Sequence, residues 1–146
     1  MKEEYVSYEC AVKLKELGFD WKVEHSYTDV IKESAREEWD EEECQWSTVY
    51  DCNSYPKPRL DQAQKWLRDC KDMDVLVFNN ACGFGWEISK SNSDSRGTTI
   101  ALFDDKGNDK DSGMWLSYEL ALSAGIDKAL EFLTIKKAME NGNRHQ

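Results

Sequence analysis

Pro58-Arg-Leu-Asp-Gln-Ala-Gln-Lys-Trp-Leu-Arg68, followed by Asp74-Val-Leu-Val-Phe78, is the stretch on which the fold turns. A proline fits the first turn of a helix, where its missing N–H would have no partner in any case. Behind it Leu60, Ala63, Leu67 and Cys70 recur at helical spacing with Trp66 beside them, which predicts a helix over about 59–71. The run Asp74–Asn79 is short, continuous and apolar instead, the pattern of a central strand buried on both faces. A helix passing directly into a strand sets the two layers of the fold.

Upstream, residues 6–19 predict another helix. Ser7 is its N-cap and Glu9 places negative charge in the first turn. Cys10, Leu14 and Leu17 form its buried stripe, Gly18 supplies the left-handed stop, and Phe19 folds back. Trp21, Val23, His25 and Tyr27 alternate with polar residues, a strand over 21–28. A further strand is predicted at Trp46–Asn53, closed by the rigid turn Tyr55-Pro-Lys-Pro58. Downstream, Gly85–Ser91 and Gly97–Asp104 predict an antiparallel pair. A last helix starts at Ser117 and carries Leu122, Ile126, Ala129, Leu130 and Leu133 on one face. The expected architecture is α+β: a small antiparallel or mixed sheet with about three helices packed on it, a two-layer sandwich. Residues 1–135 form one domain in this reading, with an acidic insert at 29–45 and a frayed tail at 136–146.

The insert differs in kind from its surroundings. Asp29–Glu43 holds eight acids and two bases, a net charge of −6 out of −10 for the whole chain. Val30, Ile31, Ala35 and Trp39 would suit a helix, whereas like charges four apart favour a solvated loop. A chain of this charge is repelled by the phosphates of nucleic acid and by anionic membranes, so neither is expected to bind it directly. A basic protein surface is the partner such a charge suits. The alternative is that the acids only keep the chain in solution.

At 146 residues, with 17 aromatics, the chain is long enough to bury a core. Size scaling gives roughly 7,700 Å² folded against roughly 24,500 Å² unfolded. The N-terminal residues lack the apolar stretch of a secretion signal, which leads to the expectation of a cytoplasmic protein. Five cysteines at 10, 44, 52, 70 and 82 include no Cys-x-x-Cys pair, and two histidines are too few to complete a zinc set. No cofactor or metal is implied. Asp104–Gly113 is acidic and rich in turn residues, but no frame of it supplies the calcium-loop pattern.

Nucleophilic chemistry has one candidate. Cys82 sits in the glycine-bearing loop 79–86, with His25 the available internal base. The competing reading is a hairpin turn with a half-buried thiol. Val6-Ser-Tyr-Glu-Cys-Ala and Leu116-Ser-Tyr-Glu-Leu-Ala open the first and last helices alike, which a shared capping solution explains.

Three stretches carry a resemblance: Pro58–Arg68 with Asp74–Phe78, Tyr118-Glu-Leu-Ala-Leu-Ser-Ala-Gly-Ile-Asp-Lys-Ala-Leu-Glu131, and Val6-Ser-Tyr-Glu with Leu14–Phe19. Together they resemble an uncharacterised family of small phage and mobile-element proteins of Bacteroidetes, over about half the chain. Segments 33–45 and 91–113 depart from that pattern. The resemblance implies a source and a scaffold, and no catalytic residue. The resulting expectation is a non-enzymatic phage-type accessory protein, an acidic inhibitor of a host nucleic-acid-handling or defence protein in an anti-CRISPR-like role. Glu37, Glu38, Trp39, Asp40, Glu41, Glu42 and Glu43 carry the contact in that reading, and Trp39, Trp46, Tyr50 and Tyr55, alternating with acids, are either anchors of a protein-binding surface or part of the core. The alternatives are a small enzyme or ligand-binding domain built on the Cys82 loop, and a self-associating virion component. A homodimer is compatible with each.

Overall fold

A computed structural model describes residues 4–80, 83–92, 94–102 and 115–143. The fold is α+β, with three helices and two separate antiparallel sheets. Helix α1 spans Tyr8–Glu16. Its start and stop follow from Ser7, Gly18 and Phe19. The Ser7 hydroxyl accepts the Cys10 amide at 3.2 Å. At the other end Gly18 (φ +91°) donates to the Lys15 carbonyl and Phe19 to that of Leu14, a double closure that returns Phe19 to the core.

Strands β1 (Ser26–Asp40) and β2 (Gln45–Pro56) form a two-stranded antiparallel ribbon. Helix α2 (Leu60–Cys70) follows it closely, after the turn that Pro58 ends. The Gln62 side chain accepts the Arg59 amide at 3.1 Å and so caps that helix. The start of the chain is tied to the same corner, Val6 donating to the Pro58 carbonyl and Leu60 to that of Glu4.

Strands β3 (Asp74–Asn80), β4 (Gly83–Ser89) and β5 (Thr99–Leu102) make the second sheet in that order, all neighbours antiparallel. Helix α3 (Tyr118–Asn143) lies across β3 and β4. Gly125 permits this close approach: a Cβ there would fall 2.7 Å from Val75 Cγ1 and 3.0 Å from Trp86 Cβ. The core gathers Leu14, Leu67, Val75, Ile88, Ile126 and Leu130 from all three helices and this sheet. The end of α2 is clasped to the end of β4. The Arg68 carbonyl accepts the Ser91 hydroxyl and the Asn92 side-chain amide, while Asp72 accepts the backbone amides of Ser91 and Asn92.

Several expectations change in detail. The strand 74–80 is an edge strand, its outer face open enough to leave Leu76 42% exposed; the central strand is β4. Trp21 and Val23 lie outside any strand and pack against the core. Cys70 ends α2 exposed. Helix α3 continues to Asn143, past the point at which the tail was expected to begin. The acidic segment 29–45 is neither helix nor loop nor an insert between strands. It makes up most of β1, the turn and the first residue of β2.

Pairing explains that choice. In a helix, Glu33, Glu37 and Glu41 would stack at four-residue spacing and repel. In the ribbon the paired acids of β1 each face a neutral hydrogen-bonding residue: Asp29 faces Asn53, Glu37 faces Thr48, Glu38 faces Ser47 and Asp40 faces Gln45. No acid is set directly against another acid across the strands, which is where like charge would weaken a sheet.

Candidate protein-binding arm

The β1–β2 ribbon is an arm. None of its strand residues is buried. At about 3.3 Å per residue, the 12 residues of β2 span roughly 40 Å. Its foot is held by aromatics and lysines. Tyr27 and Tyr55 face each other in the ladder, and both meet the Tyr8 ring edge-on, at 5.7 and 5.5 Å. The Tyr27 hydroxyl donates to the Val6 carbonyl at 2.6 Å, and burial pushes that phenol's pKa above its ordinary value. Lys57 lies over the Tyr5 and Tyr27 rings, at 5.2 and 4.9 Å. Lys15 lies over Tyr55 and donates to the Ser54 carbonyl.

Midway the ladder is interrupted. Ile31 pairs with Asp51 and Arg36 with Val49, so residues 32–35 bulge opposite Tyr50 alone. Ser34 repairs the break by donating to the Ile31 carbonyl and accepting the Asp51 amide at 2.7 Å. Arg36 then bridges across it, to Glu38 and to Asp51, both at 2.8 Å. These two carboxylates, Glu38 first, raise the guanidinium's pKa further. The bulge separates an anchored lower half from a free upper half.

The structure places all seven of the sequence-predicted contact residues in the upper half: Glu37, Glu38, Trp39 and Asp40 end β1, and Glu41, Glu42 and Glu43 form the turn with Cys44. Their surroundings divide them. Asp40 shapes the turn, its carboxylate accepting the amides of Glu42 and Glu43 at 2.9 and 3.3 Å. Cys44 closes the turn in the left-handed region, at φ +54°. Glu38 is paired with Arg36, Glu37 accepts the Thr48 hydroxyl, and Glu43 accepts the Gln45 amide. The side-chain carboxylates of Glu41 and Glu42 have no partner among the described residues.

Residues of the second strand complete this surface, and the predicted segment left them out. Trp46 faces Trp39 in the ladder, ring centroids 5.7 Å apart and tilted by 70°, and the two are 64% and 50% exposed. Side chains alternate along a strand, so Trp46, Thr48 and Tyr50 share one face with Trp39 and Glu37. Val30, opposite Cys52, continues that face below the bulge, and like Tyr50 it is exposed. The opposite face carries Arg36, Glu38 and Asp51, already joined to one another. Of the aromatics set among acids in the sequence, Trp39, Trp46 and Tyr50 are exposed here and Tyr55 is half-buried at the foot.

Over residues 26–56 there are nine acids and two bases, a net −7 of the chain's −10. Cys82 and the segment Asp104–Gly113 lie outside the described residues. His25 stands exposed at the arm's foot, its ring 5.2 Å from that of Tyr5. A cleft of about 650 Å³ opens where α1 and α2 end beside α3. Helix C-termini attract cations, and Lys137 already supplies one by donating to the Glu16 carbonyl. Among the described residues no three His, Cys, Asp or Glu side chains are grouped to hold a metal, and no helix is long and apolar enough to cross a membrane.

Compared with protein-family models, with curated proteins and with solved structures, the chain matches none.

Proposed function

We propose that this protein works by binding: the upper half of the arm docks on a partner protein with a basic surface, and no chemistry is performed. The observation that carries this reading is the placement of net charge −7 on a ribbon with no buried strand residue. A two-stranded ribbon alone in water is marginal, because it buries little apolar surface to offset the entropy of ordering its residues. Charges held on such a projection are accessible to a second molecule, and they steer a basic one toward it. In the phage-type setting that the sequence resembles, the partner is a host nucleic-acid-handling or defence protein. Its phosphate-binding channel is the basic surface, and the arm occupies it in place of nucleic acid, an anti-CRISPR-like role.

The test compares the native protein with a variant in which Glu37, Glu41, Glu42 and Glu43 are replaced by lysine. Both are tagged and passed through a Bacteroidetes lysate, and a basic protein retained by the native form is purified and titrated. The reading expects the reversal to weaken Kd by at least about tenfold, and native affinity to fall as salt rises past the screening range. Equal affinity of the two forms, with no dependence on salt, overturns it.

A further inference from the structure

The charge on the arm tells what sign of surface it meets; its two faces tell how. On one face the Arg36 guanidinium already bridges Glu38 and Asp51. The other exposes Trp39, Trp46, Tyr50 and Val30 in a row. Exposed large apolar side chains in a line on a charged ribbon are a binding strip, and three of these four are aromatic.

An occupant can be chosen from the chemistry beside the strip. Glu37 lies on the same face, next to the Trp39–Trp46 pair, and Glu41 and Glu42 follow at the turn without partners. A second copy of the arm would bring net −7 against net −7, and an anionic lipid surface would be repelled likewise. An apolar peptide would leave the carboxylates beside it unmatched. A cationic side chain satisfies both features, because an indole face attracts guanidinium or ammonium and a neighbouring carboxylate adds to the attraction. The arm's own foot uses this chemistry, with Lys57 over Tyr5 and Tyr27 and Lys15 over Tyr55.

We infer that the Trp39–Trp46–Tyr50 face of the arm is a docking strip for an extended basic segment of the partner, whose cationic side chains lie against the indole pair beside Glu37, Glu41 and Glu42. This rests on the binding function proposed above and names the chemistry of its ligand. Trp39 and Trp46 are the anchors, and the acids set the sign of what they accept.

The experiment titrates the full chain with a fluorescein-labelled nonaarginine peptide, followed by anisotropy, with the uncharged nonacitrulline peptide beside it. Trp39→Leu/Trp46→Leu is the main variant: it keeps an apolar cross-strand pair and the net charge, and removes the indole rings. The inference expects at least a tenfold weaker Kd for the nonaarginine peptide, no binding of the citrulline peptide to the native chain, and peptide-induced shifts of the Trp39 and Trp46 indole N–H resonances. The pattern of cross-strand amide resonances over 36–49 reports whether the ribbon persists in the variant. If the variant loses that pattern, the native indole shifts decide: movement confined to Trp39 and Trp46 supports the strip, and no movement refutes it. Native-like arginine-peptide affinity in the leucine variant also overturns it. The two proposals fail separately. Loss of the partner on charge reversal with full affinity in the leucine variant leaves the binding function and removes the strip; the converse pattern removes the charge-steered docking and keeps the aromatic strip.

Discussion

The body and the arm are built on opposite terms. In the body every element gives side chains to one core, and Leu14, Leu67, Ile88, Ile126 and Leu130 are each fully buried. In the arm no strand residue is buried, and beyond its foot the two strands are held by each other. The body is stabilised by area removed from water. The arm is held by cross-strand pairing, by ring contacts at Tyr27 and Tyr55, and by charge-assisted hydrogen bonds around Arg36. The two should therefore open with very different free energies, and an opening that leaves the body folded is available to the arm alone.

Thiol labelling has the widest expected range and sets the open surface of the arm against the closed body. Cys44 and Cys52 lie exposed on the arm, whereas Cys10 is buried under α3. Burial pushes the Cys10 thiol well above its usual pKa, and Asp127 adds to the effect, so little thiolate is present to react. Alkylation of the native protein at pH 8, quenched at intervals and mapped by mass spectrometry, is expected to modify Cys44 and Cys52 at least about a thousandfold faster than Cys10, which must await opening of the body. Rates within tenfold of each other would show that the body opens readily enough to expose Cys10.

Truncations test the same contrast in equilibrium terms. Leu130→Ala removes a fully buried side chain from the middle of the core and is expected to cost about 2–5 kcal/mol in urea unfolding. Val30→Ala removes a half-exposed side chain from the arm and should change stability by no more than about 0.5 kcal/mol. Comparable losses would mean that the arm shares the body's cooperative unit.

What the amino-acid order revealed follows the same division. In the body, structure is local and legible. Ser7, Gly18 and Phe19 mark the ends of α1, Pro58 and the Leu60–Leu67 stripe mark α2, and both Ser-Tyr-Glu openings cap their helices by the same bond, from Cys10 to Ser7 and from Leu120 to Ser117. Yet Val6, before the first cap, is buried while Leu116, before the second, is 93% exposed, since burial depends on what packs there. The place of 74–80 at a sheet edge was equally invisible, because an apolar run does not say how many neighbours a strand has. In the arm the decisive information lies on the facing strand. Val30, Ala35 and Trp39 look like a helical stripe until Trp39 is set against Trp46 and Glu37 against Thr48, seven and eleven residues away across the turn. The acids of the proposed contact, and the aromatics set among them, stand out by composition, whereas the face that joins Trp39 to Trp46 and Tyr50 needs the register.

The smallest expected effect is the most specific to the arm. Arg36 is exposed, and its ion pairs with Glu38 and Asp51 face water, where such pairs contribute about 0.2–1 kcal/mol. They nevertheless span the bulge at 32–35, the one place where the ladder between the arm's halves is broken. Arg36→Ala should leave the thermal midpoint of the body within about a degree, since no core contact changes. Amide exchange over Arg36–Asp40 and Gln45–Val49 should rise about two- to fivefold, the local equivalent of that energy, while amides of Tyr27 and Tyr55 at the foot stay as they are. A rise that reaches the foot would show the arm opening as one piece. No rise at all would leave Ser34, which joins Ile31 to Asp51, as the bond that holds the bulge. A lowered midpoint for the body would contradict the separation from which the contrast began.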